Sequence, residues 1–264
     1  PRAAAPKHDR LAVLVRGAPS VRRGASAGLL CGLLSLTRPS FLLLPLPLAW
    51  VWRRASGAPQ RAVAAFLVLA AAVPSLWALR NAAVLGPPPV LTTKLGHDLY
   101  QGIGPEADGG AVGRRVDWAA LGGDLPEAER DRIRLHAALA AAGEDPARVL
   151  RLVPVKIWRL WSPLPNGPER RAAPLWIAAA VPVLVWVPLA VLALLRDPSP
   201  ALRLLAIPAL YLSAVHAVFI ASVRFRVPAE APLAVLAACA ASRPRRAAGG
   251  TPDSPTPQLS NSGW

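Results

Sequence analysis

The chain has 264 residues, of which 53% are hydrophobic and only 17% are charged, so intrinsic disorder is excluded over most of its length. Two cysteines exclude a disulfide scaffold, and 30 prolines and 19 glycines without a period exclude collagen. The net charge of +15 first points to nucleic acid, but the arginines follow the ends of apolar segments with few aromatic residues between them, so we predict no nucleic-acid partner.

Apolar segments dominate both ends of the chain. Three of them reach the roughly 20 residues that a helix needs to cross the hydrocarbon core of a membrane. Because lipid offers no hydrogen bonds to the backbone, such segments must be helical. The sequence therefore predicts an all-α integral membrane protein with about six transmembrane or re-entrant helices, at 21–37, 39–52, 61–79, 173–195, 201–223 and 228–241.

The membrane helices over 21–79 contain a break at 37–39, where Pro39 disfavours a continuous helix through Arg38. Arginine pairs flank both ends of 21–52, which favours a hairpin or a sharply broken helix with both ends on one side of the membrane. A single helix over 25–52 is the alternative, and it would place Arg38 near the middle of the membrane.

A large loop domain is predicted over 80–172, since this stretch holds 11 of the 15 acidic residues. A helix is expected over 125–143, with acids in its first turn and Gly143 as its stop. Asp145 then acts as the N-cap of an amphipathic helix over 146–161, with Pro146 in its first position. That helix places its basic residues opposite its apolar ones, which fits a helix on the membrane surface or one packed on the core of the loop domain.

The distribution of Lys and Arg predicts the orientation. With 1–20 as a cytoplasmic N-terminal segment, three membrane helices over 173–241 and a disordered cytoplasmic tail at 242–264, 14 of the 17 basic residues outside the loop are cytoplasmic. The remaining three, Arg38, Arg224 and Arg226, fall on the extracytoplasmic side. We expect a bacterial inner or plasma membrane, with both termini in the cytoplasm.

Arginines at the outer face of a membrane are costly to desolvate unless they meet an anion. Arg224 and Arg226 stand two residues apart, just before Pro228, and a short non-helical stretch would direct both at one phosphate. Snorkelling of both side chains towards water or lipid headgroups is the alternative.

Other polar residues in the apolar or loop regions have two interpretations each. Glu230 pairs with a neighbouring arginine or holds a substrate. His216 forms a neutral hydrogen bond between helices or contacts a ligand. Asp98, with His97, contacts a polar substrate or stabilises a turn. No metal-binding, phosphate-loop or nucleophile motif is present, and the sequence indicates no metal site and no cofactor.

Four stretches, taken in order, resemble the GT-C membrane glycosyltransferases of the protein-mannosyltransferase and aminoarabinose-transferase group, glycosyltransferase family 39, in the C-terminal part of their membrane domain. These are AGLLCGLLSLTRPSFLLLPL at 27–46, PSLWALRNAAVLGPPPVLTTKLGHDLYQGIGP at 74–105, RVLRLVPVKIWRLWSPLP at 148–165 and HAVFIASVRFRVPAEAPLAVLAA at 216–238. Lys94, Asp98 and Ile103-Gly104 depart from the asparagines of the family's loop motif.

The resemblance implies transfer of a sugar from a polyprenyl-phosphate-linked donor to a glycan, lipid or protein acceptor on the extracytoplasmic face. It implies that Arg38, Arg224 and Arg226 bind the donor phosphate, with His216, Glu230, Asp98 and Tyr100 supporting them or contacting substrate. No catalytic residue is assigned, since the family's acidic loop would precede Pro1. With no methionine in the chain, we interpret it as a fragment. The alternative is a non-catalytic transporter fragment or assembly scaffold, although a transporter should show an internal repeat, and none is found.

Overall fold

The computed structural model describes residues 19–86, 91–113, 115–166 and 173–242, and secondary structure in these ranges is helical. The predicted terminal segments 1–20 and 242–264 therefore lie almost wholly outside the described residues. A 3₁₀ turn at Pro39–Phe41 precedes α2, and a π-helical turn at Pro182–Trp186 joins α7 to α8. The helices are α1 Val21–Thr37, α2 Pro45–Ser56, α3 Gln60–Leu85, α4 Leu95–Ile103, α5 Glu127–Glu144, α6 Pro146–Leu160, α7 Ala173–Val181, α8 Val187–Arg196, α9 Pro200–Val218 and α10 Val223–Ala241.

The prediction of an all-helical chain is confirmed for the described residues. Three stretches are long and apolar enough to cross a membrane: Gln60–Val84, Trp176–Arg196 and Pro200–Val218. Helices α1 and α2 have 17 and 12 residues, and α10 carries three charged side chains. The predicted total of about six membrane helices thus stays a prediction.

Helices α1 and α3 pack closely because glycines line the face of α1 that meets α3. A Cβ on Gly24 would lie 2.2 Å from the carbonyl oxygen of Ala62, and one on Gly28 would lie 2.2 Å from that of Phe66. Only glycine permits so close a backbone approach, as in other small-residue helix contacts in membranes. The paired residue numbers rise together along both helices, so α1 and α3 run parallel.

Helix α2 runs in the opposite direction to α1, because it ends beside the start of α3. Gly57, at a φ of 61°, makes the turn between α2 and α3, and Arg53 closes it by donating to the carbonyl of Ala58 at 3.0 Å. At the other end of α2, Arg38 is extended, with φ of −146° and ψ of 108°. The chain therefore folds back at Arg38, and no single helix extends over 25–52.

The last three helical segments are α7–α8, α9 and α10, and α10 ends at the end of the molecule where α1 begins. Arg196, at the end of α8, donates to the carbonyl of Ala240 near the end of α10 at 3.5 Å. Arg226 at the start of α10 donates to the carbonyl of Ala179 in α7, so α7–α8 and α10 run parallel and pack on each other. Helix α9 runs in the opposite direction and packs on α10. The turn from α9 to α10 consequently lies at the same end as the break at Arg38. Arg38 at the break meets Phe225 at the start of α10, with its guanidinium carbon 5.8 Å from the ring centre. Further along α9, the Tyr211 hydroxyl donates to the Ser40 carbonyl at 2.6 Å.

Residues 91–113 and 115–166, called the loop segment below, contain α4, α5 and α6. Helices α4 and α5 pack around a core of Leu99, Tyr100, Ile103, Val112 and Ala138, and α6 also packs against α9. The stop predicted at Gly143 is wrong, since α5 continues to Glu144. The helix ends there because Pro146 disfavours helical geometry at Asp145. The predicted cap is present: the Asp145 carboxylate accepts a hydrogen bond from the Arg148 N–H at 2.8 Å.

Helix α6 does not have the predicted division into a basic outer face and an apolar inner face. Lys156 is fully buried, whereas Leu150 and Trp158 are 69% and 67% exposed. The difference arises because backbone carbonyls at the end of α9 attract the Lys156 ammonium inward. The exposed side of α6 is therefore partly apolar, a character that suits contact with lipid.

Candidate functional site

Two arginines and a histidine contact the ring of Phe225, where the break at Arg38 meets the start of α10. The guanidinium carbons of Arg38 and Arg224 lie 5.8 and 4.9 Å from the centre of the Phe225 ring. The His216 ring stacks on Phe225, with centroids 4.7 Å apart and planes 14° apart. These four residues, called the Phe225 cluster below, come from three separate parts of the chain.

The positions of the two arginines follow from local structure. Arg38 is half-buried in the extended residue between α1 and the 3₁₀ turn, and Arg224 is exposed in the first turn of α10. Neither side chain has a hydrogen bond or an ion pair with a described residue. The positive charges of Arg38 and Arg224 thus lie at the same Phe225 ring, beside the positive end of the α10 dipole. This arrangement favours the binding of an anion.

The structure separates Arg226 from this pair. The expectation of a non-helical stretch is wrong, because α10 already begins at Val223. Residues two apart on a helix point to opposite sides, and Arg226 consequently turns inward and is 1% exposed. Its guanidinium donates to the carbonyls of Leu160 and Ser162 at 3.1 and 2.7 Å, and also to that of Ala179.

Glu230 completes the environment of Arg226. Its carboxylate accepts from the Arg226 Nε at 3.0 Å, one turn along the same helix. Of the two interpretations made from the sequence, the structure matches the ion pair, and the partner is Arg226 rather than Arg224. The pair joins α10 to the end of α6 and to α7, so it holds in place the helix that carries Arg224.

His216 joins α9 to the turn that follows it. Its Nδ1 donates to the carbonyl of Ile220 at 2.6 Å, which fixes the proton on that nitrogen. The ring is 6% exposed and contacts Phe225 through its face. The structure therefore gives His216 a hydrogen bond within the protein, and its ring supports the aromatic surface between the arginines.

A buried lysine, predicted on the basic face of the helix over 146–161 and not as a site residue, caps α9. The Lys156 ammonium donates to the carbonyls of Val218 and Ala217 at 2.6 and 3.2 Å. Burial lowers the pKa of Lys156 to about 8, with the charge of Arg148 acting in the same direction. This contact fixes the loop segment to the turn that leads into Arg224, and its only sequence signal is a lysine among apolar residues.

Asp98 and Tyr100 lie on α4, and no hydrogen bond or ion pair joins either of them to Arg38 or Arg224. Burial raises the pKa of the Asp98 carboxyl, whose side chain makes no hydrogen bond with a described residue. Tyr100 packs edge-on against Trp118, with ring centroids 5.8 Å apart, and burial raises its pKa, as does its hydrogen bond to Glu106. The structure therefore does not bring these two residues into the Phe225 cluster.

His97, beside Asp98, belongs to a network within the loop segment. Its ring nitrogens lie 2.9 Å from Gln101 Nε2 and 3.3 Å from Arg134 Nη1, and its ring packs against Trp118. Burial lowers the pKa of His97, as does the charge of Arg134. These contacts favour the structural interpretation of His97.

Phe225 is the residue of the cluster that sequence reasoning missed. Its signal was the aromatic residue enclosed by arginines in the string RFR at 224–226. Within the described residues, no group of three or more His, Cys, Asp or Glu side chains is placed to hold a metal ion. No family model, curated protein or solved structure matches this chain.

Proposed function

We propose that this chain is part of a membrane glycosyltransferase that moves a sugar from a polyprenyl-phosphate-linked donor to an acceptor outside the cytoplasm. The observation that carries the proposal is a pair of arginines, Arg38 and Arg224, that contact the Phe225 ring and have no acceptor among the described residues. They stand where apolar helices meet the loop segment, which is the depth of a lipid phosphate. The resemblance of four ordered stretches to the family supplies the reaction.

The chemistry requires stabilisation of charge on the departing lipid phosphate. Guanidinium groups that are already in position stabilise such charge, because they need little reorganisation as the bond to the sugar breaks. We assign this role to Arg38 and Arg224, which contact the same Phe225 ring. Arg226, paired with Glu230, acts in the described conformation as a positioning residue for α10.

The proposed orientation places the Phe225 cluster and the loop segment outside the cytoplasm. Six helices, α1, α2, α3, α7–α8, α9 and α10, then span or enter a bacterial inner or plasma membrane. The arginine-rich ends of α1, α2 and α8 face the cytoplasm, in agreement with the positive-inside rule. Asp98 and Tyr100 lie on the acceptor side in this arrangement.

Binding of a polyprenyl phosphate sugar tests the proposal directly. We expect the purified chain to bind the phosphorylated lipid and to bind the corresponding polyprenol at least tenfold more weakly, since the phosphate is the group recognised. Arg38→Gln and Arg224→Gln should each weaken binding about tenfold or more. Arg54→Gln, an exposed arginine at the opposite end of the helices, is the matched control.

Transfer is measured in membranes that contain the same variants, supplied with a labelled donor sugar and an acceptor fraction. Loss of labelled product in Arg38→Gln and Arg224→Gln, but not in Arg54→Gln, supports the transferase. Equal binding of polyprenol and polyprenyl phosphate would refute the phosphate site. Tight binding of the phosphate without any transfer would support the phosphate site alone, since no catalytic residue is assigned to this chain.

A further inference from the structure

The four basic residues of α6 differ in whether the protein supplies them with an acceptor. Arg148 donates to carbonyls at the end of α4, Lys156 to carbonyls at the end of α9, and Arg151 lies 3.6 Å from the Asp145 carboxylate. Arg159 has no acceptor among the described residues, although its Nε is buried. A buried charged donor without an acceptor is unfavourable, so this guanidinium is open to an acceptor that the described residues do not supply.

Asp108 is the carboxylate near enough for the charge of Arg159 to act on it. Its oxygens are already used: one accepts from the Gly110 N–H at 2.9 Å, and the other pairs with Arg115. Gly110 lies directly against Arg159, since a Cβ there would be 2.2 Å from Nη2. The backbone therefore holds the guanidinium in place without accepting a hydrogen bond from it.

A cavity of about 320 Å³ opens beside Arg159, between the end of α6 and the start of α7. Its walls are mainly apolar and aromatic, and Arg159 is the charged residue among the described residues that line it. We call it the α6 cavity; its main lining residues are Val155, Trp158, Arg159, Leu164, Pro165 and Trp176.

The wall of the α6 cavity formed by residues 161–166 is held in a defined shape by its own hydrogen bonds. The Ser162 hydroxyl donates to the Leu164 carbonyl at 2.9 Å and accepts from the Leu164 N–H at 3.0 Å. Asn166 donates to the carbonyl of Arg159 at 2.6 Å. The shape of the cavity therefore does not depend on a ligand.

The α6 cavity lies at the level of lipid headgroups. Trp176 is the first residue of the apolar stretch Trp176–Arg196, and the exposed Trp158 faces outward from α6. Tryptophan and arginine together are typical of the boundary between headgroups and acyl chains. A ligand there meets one cation and a mostly apolar wall, which is the pattern of a phosphate attached to hydrocarbon.

We propose that the α6 cavity binds an anionic phospholipid, whose phosphate accepts hydrogen bonds from Arg159 and whose first acyl carbons lie against Trp158 and Trp176. This site shares no residue with the Phe225 cluster and needs no sugar donor. Its occupation joins α6 to α7 next to the carbonyls that hold Arg226. The bound lipid therefore stabilises the framework of the helices.

Native mass spectrometry of the delipidated, purified chain tests the proposal with phosphatidylglycerol and phosphatidylcholine as probes. We expect a bound phosphatidylglycerol that phosphatidylcholine does not replace. Arg159→Gln should reduce its occupancy about tenfold, since a charge-assisted hydrogen bond is lost. Arg151→Gln removes an exposed arginine from the same helix and should leave binding unchanged.

Arg159→Lys and Trp158→Ala keep the result interpretable if Arg159→Gln folds poorly. The lysine variant should bind with intermediate strength, and the alanine variant should weaken binding while retaining the charge. Equal binding of both lipids, or an equal loss in Arg151→Gln, overturns the proposal. If inorganic phosphate quenched Trp fluorescence as strongly as phosphatidylglycerol does, the proposal that the ligand is a lipid would be overturned, because a free anion would then suffice.

Discussion

At the scale of single residues, backbone carbonyls decide where the basic side chains go. Arg226, Lys156 and Arg148 all leave the surface to bond the exposed carbonyls at helix ends or in nearby turns. A sequence shows how many cations there are but not where these carbonyls will lie. The predicted phosphate pair Arg224 and Arg226 was separated for this reason, and Lys156 was predicted on the wrong side of α6.

We expect the titration of Lys156 to raise the free energy of unfolding as the pH becomes alkaline. Its pKa is lowered to about 8 by burial, whereas in the unfolded chain it stays near 10.5, so the unfolded state holds more protons between these values. Unfolding is therefore opposed more strongly as pH rises from about 8 to 10.5, by up to roughly 3 kcal/mol. Thermal unfolding in detergent at pH 7, 8, 9 and 10 measures this rise.

Lys156→Met removes the titrating group and should flatten the alkaline rise, even though it destabilises the chain at every pH by leaving the Val218 carbonyl without a donor. Lys94→Met, which removes an exposed lysine, should retain the rise. An alkaline rise of the same size in Lys156→Met would assign the rise to groups other than Lys156.

At the scale of helices, small residues set how closely α1 and α3 approach. Apolar length and proline spacing predict where the helices lie, and the structure gives helices in all six predicted apolar segments. The sequence does not give the pairing of α1 with α3, because the glycines could have faced any neighbour. Proline also acts at this scale: Pro182 and Pro188 bracket the π-helical turn between α7 and α8, where backbone donors are missing.

Adding one methyl group to the α1–α3 contact should be destabilising. In Gly28→Ala the new Cβ would lie 2.2 Å from the Phe66 carbonyl oxygen, so the helices must separate, at a cost of about 1–3 kcal/mol. The same substitution at Gly143, where a Cβ meets nothing within 4 Å, should stabilise α5 by up to about 1 kcal/mol. Thermal unfolding of both variants makes the comparison, and a Gly28→Ala variant as stable as the parent contradicts the close contact.

At the scale of the whole molecule, the charge pattern of the sequence and the contacts in the structure agree, although they are independent of each other. The charge pattern places Arg38, Arg224 and Arg226 on the side opposite the other basic residues outside the loop. The contacts place the break at Arg38 and the α9–α10 turn at one end of the helices, joined to the loop segment through Lys156 and Gly102. Relative placement was thus predictable from charge, whereas the convergence of Arg38 and Arg224 on Phe225 depends on three-dimensional packing.

Single cysteines report this arrangement in intact cells. In a background with Cys31→Ala and Cys239→Ala, we expect Thr37→Cys and Ser222→Cys to react with a membrane-impermeant maleimide added outside. Ser56→Cys and Ser199→Cys lie at the opposite end of the helices and should react only after the membrane is permeabilised. Labelling of 37 and 222 from opposite sides would contradict the fold, because the contact between Arg38 and Phe225 requires one common end. Labelling of both from the cytoplasm would keep the fold but remove the donor site from the side on which the proposed transfer occurs.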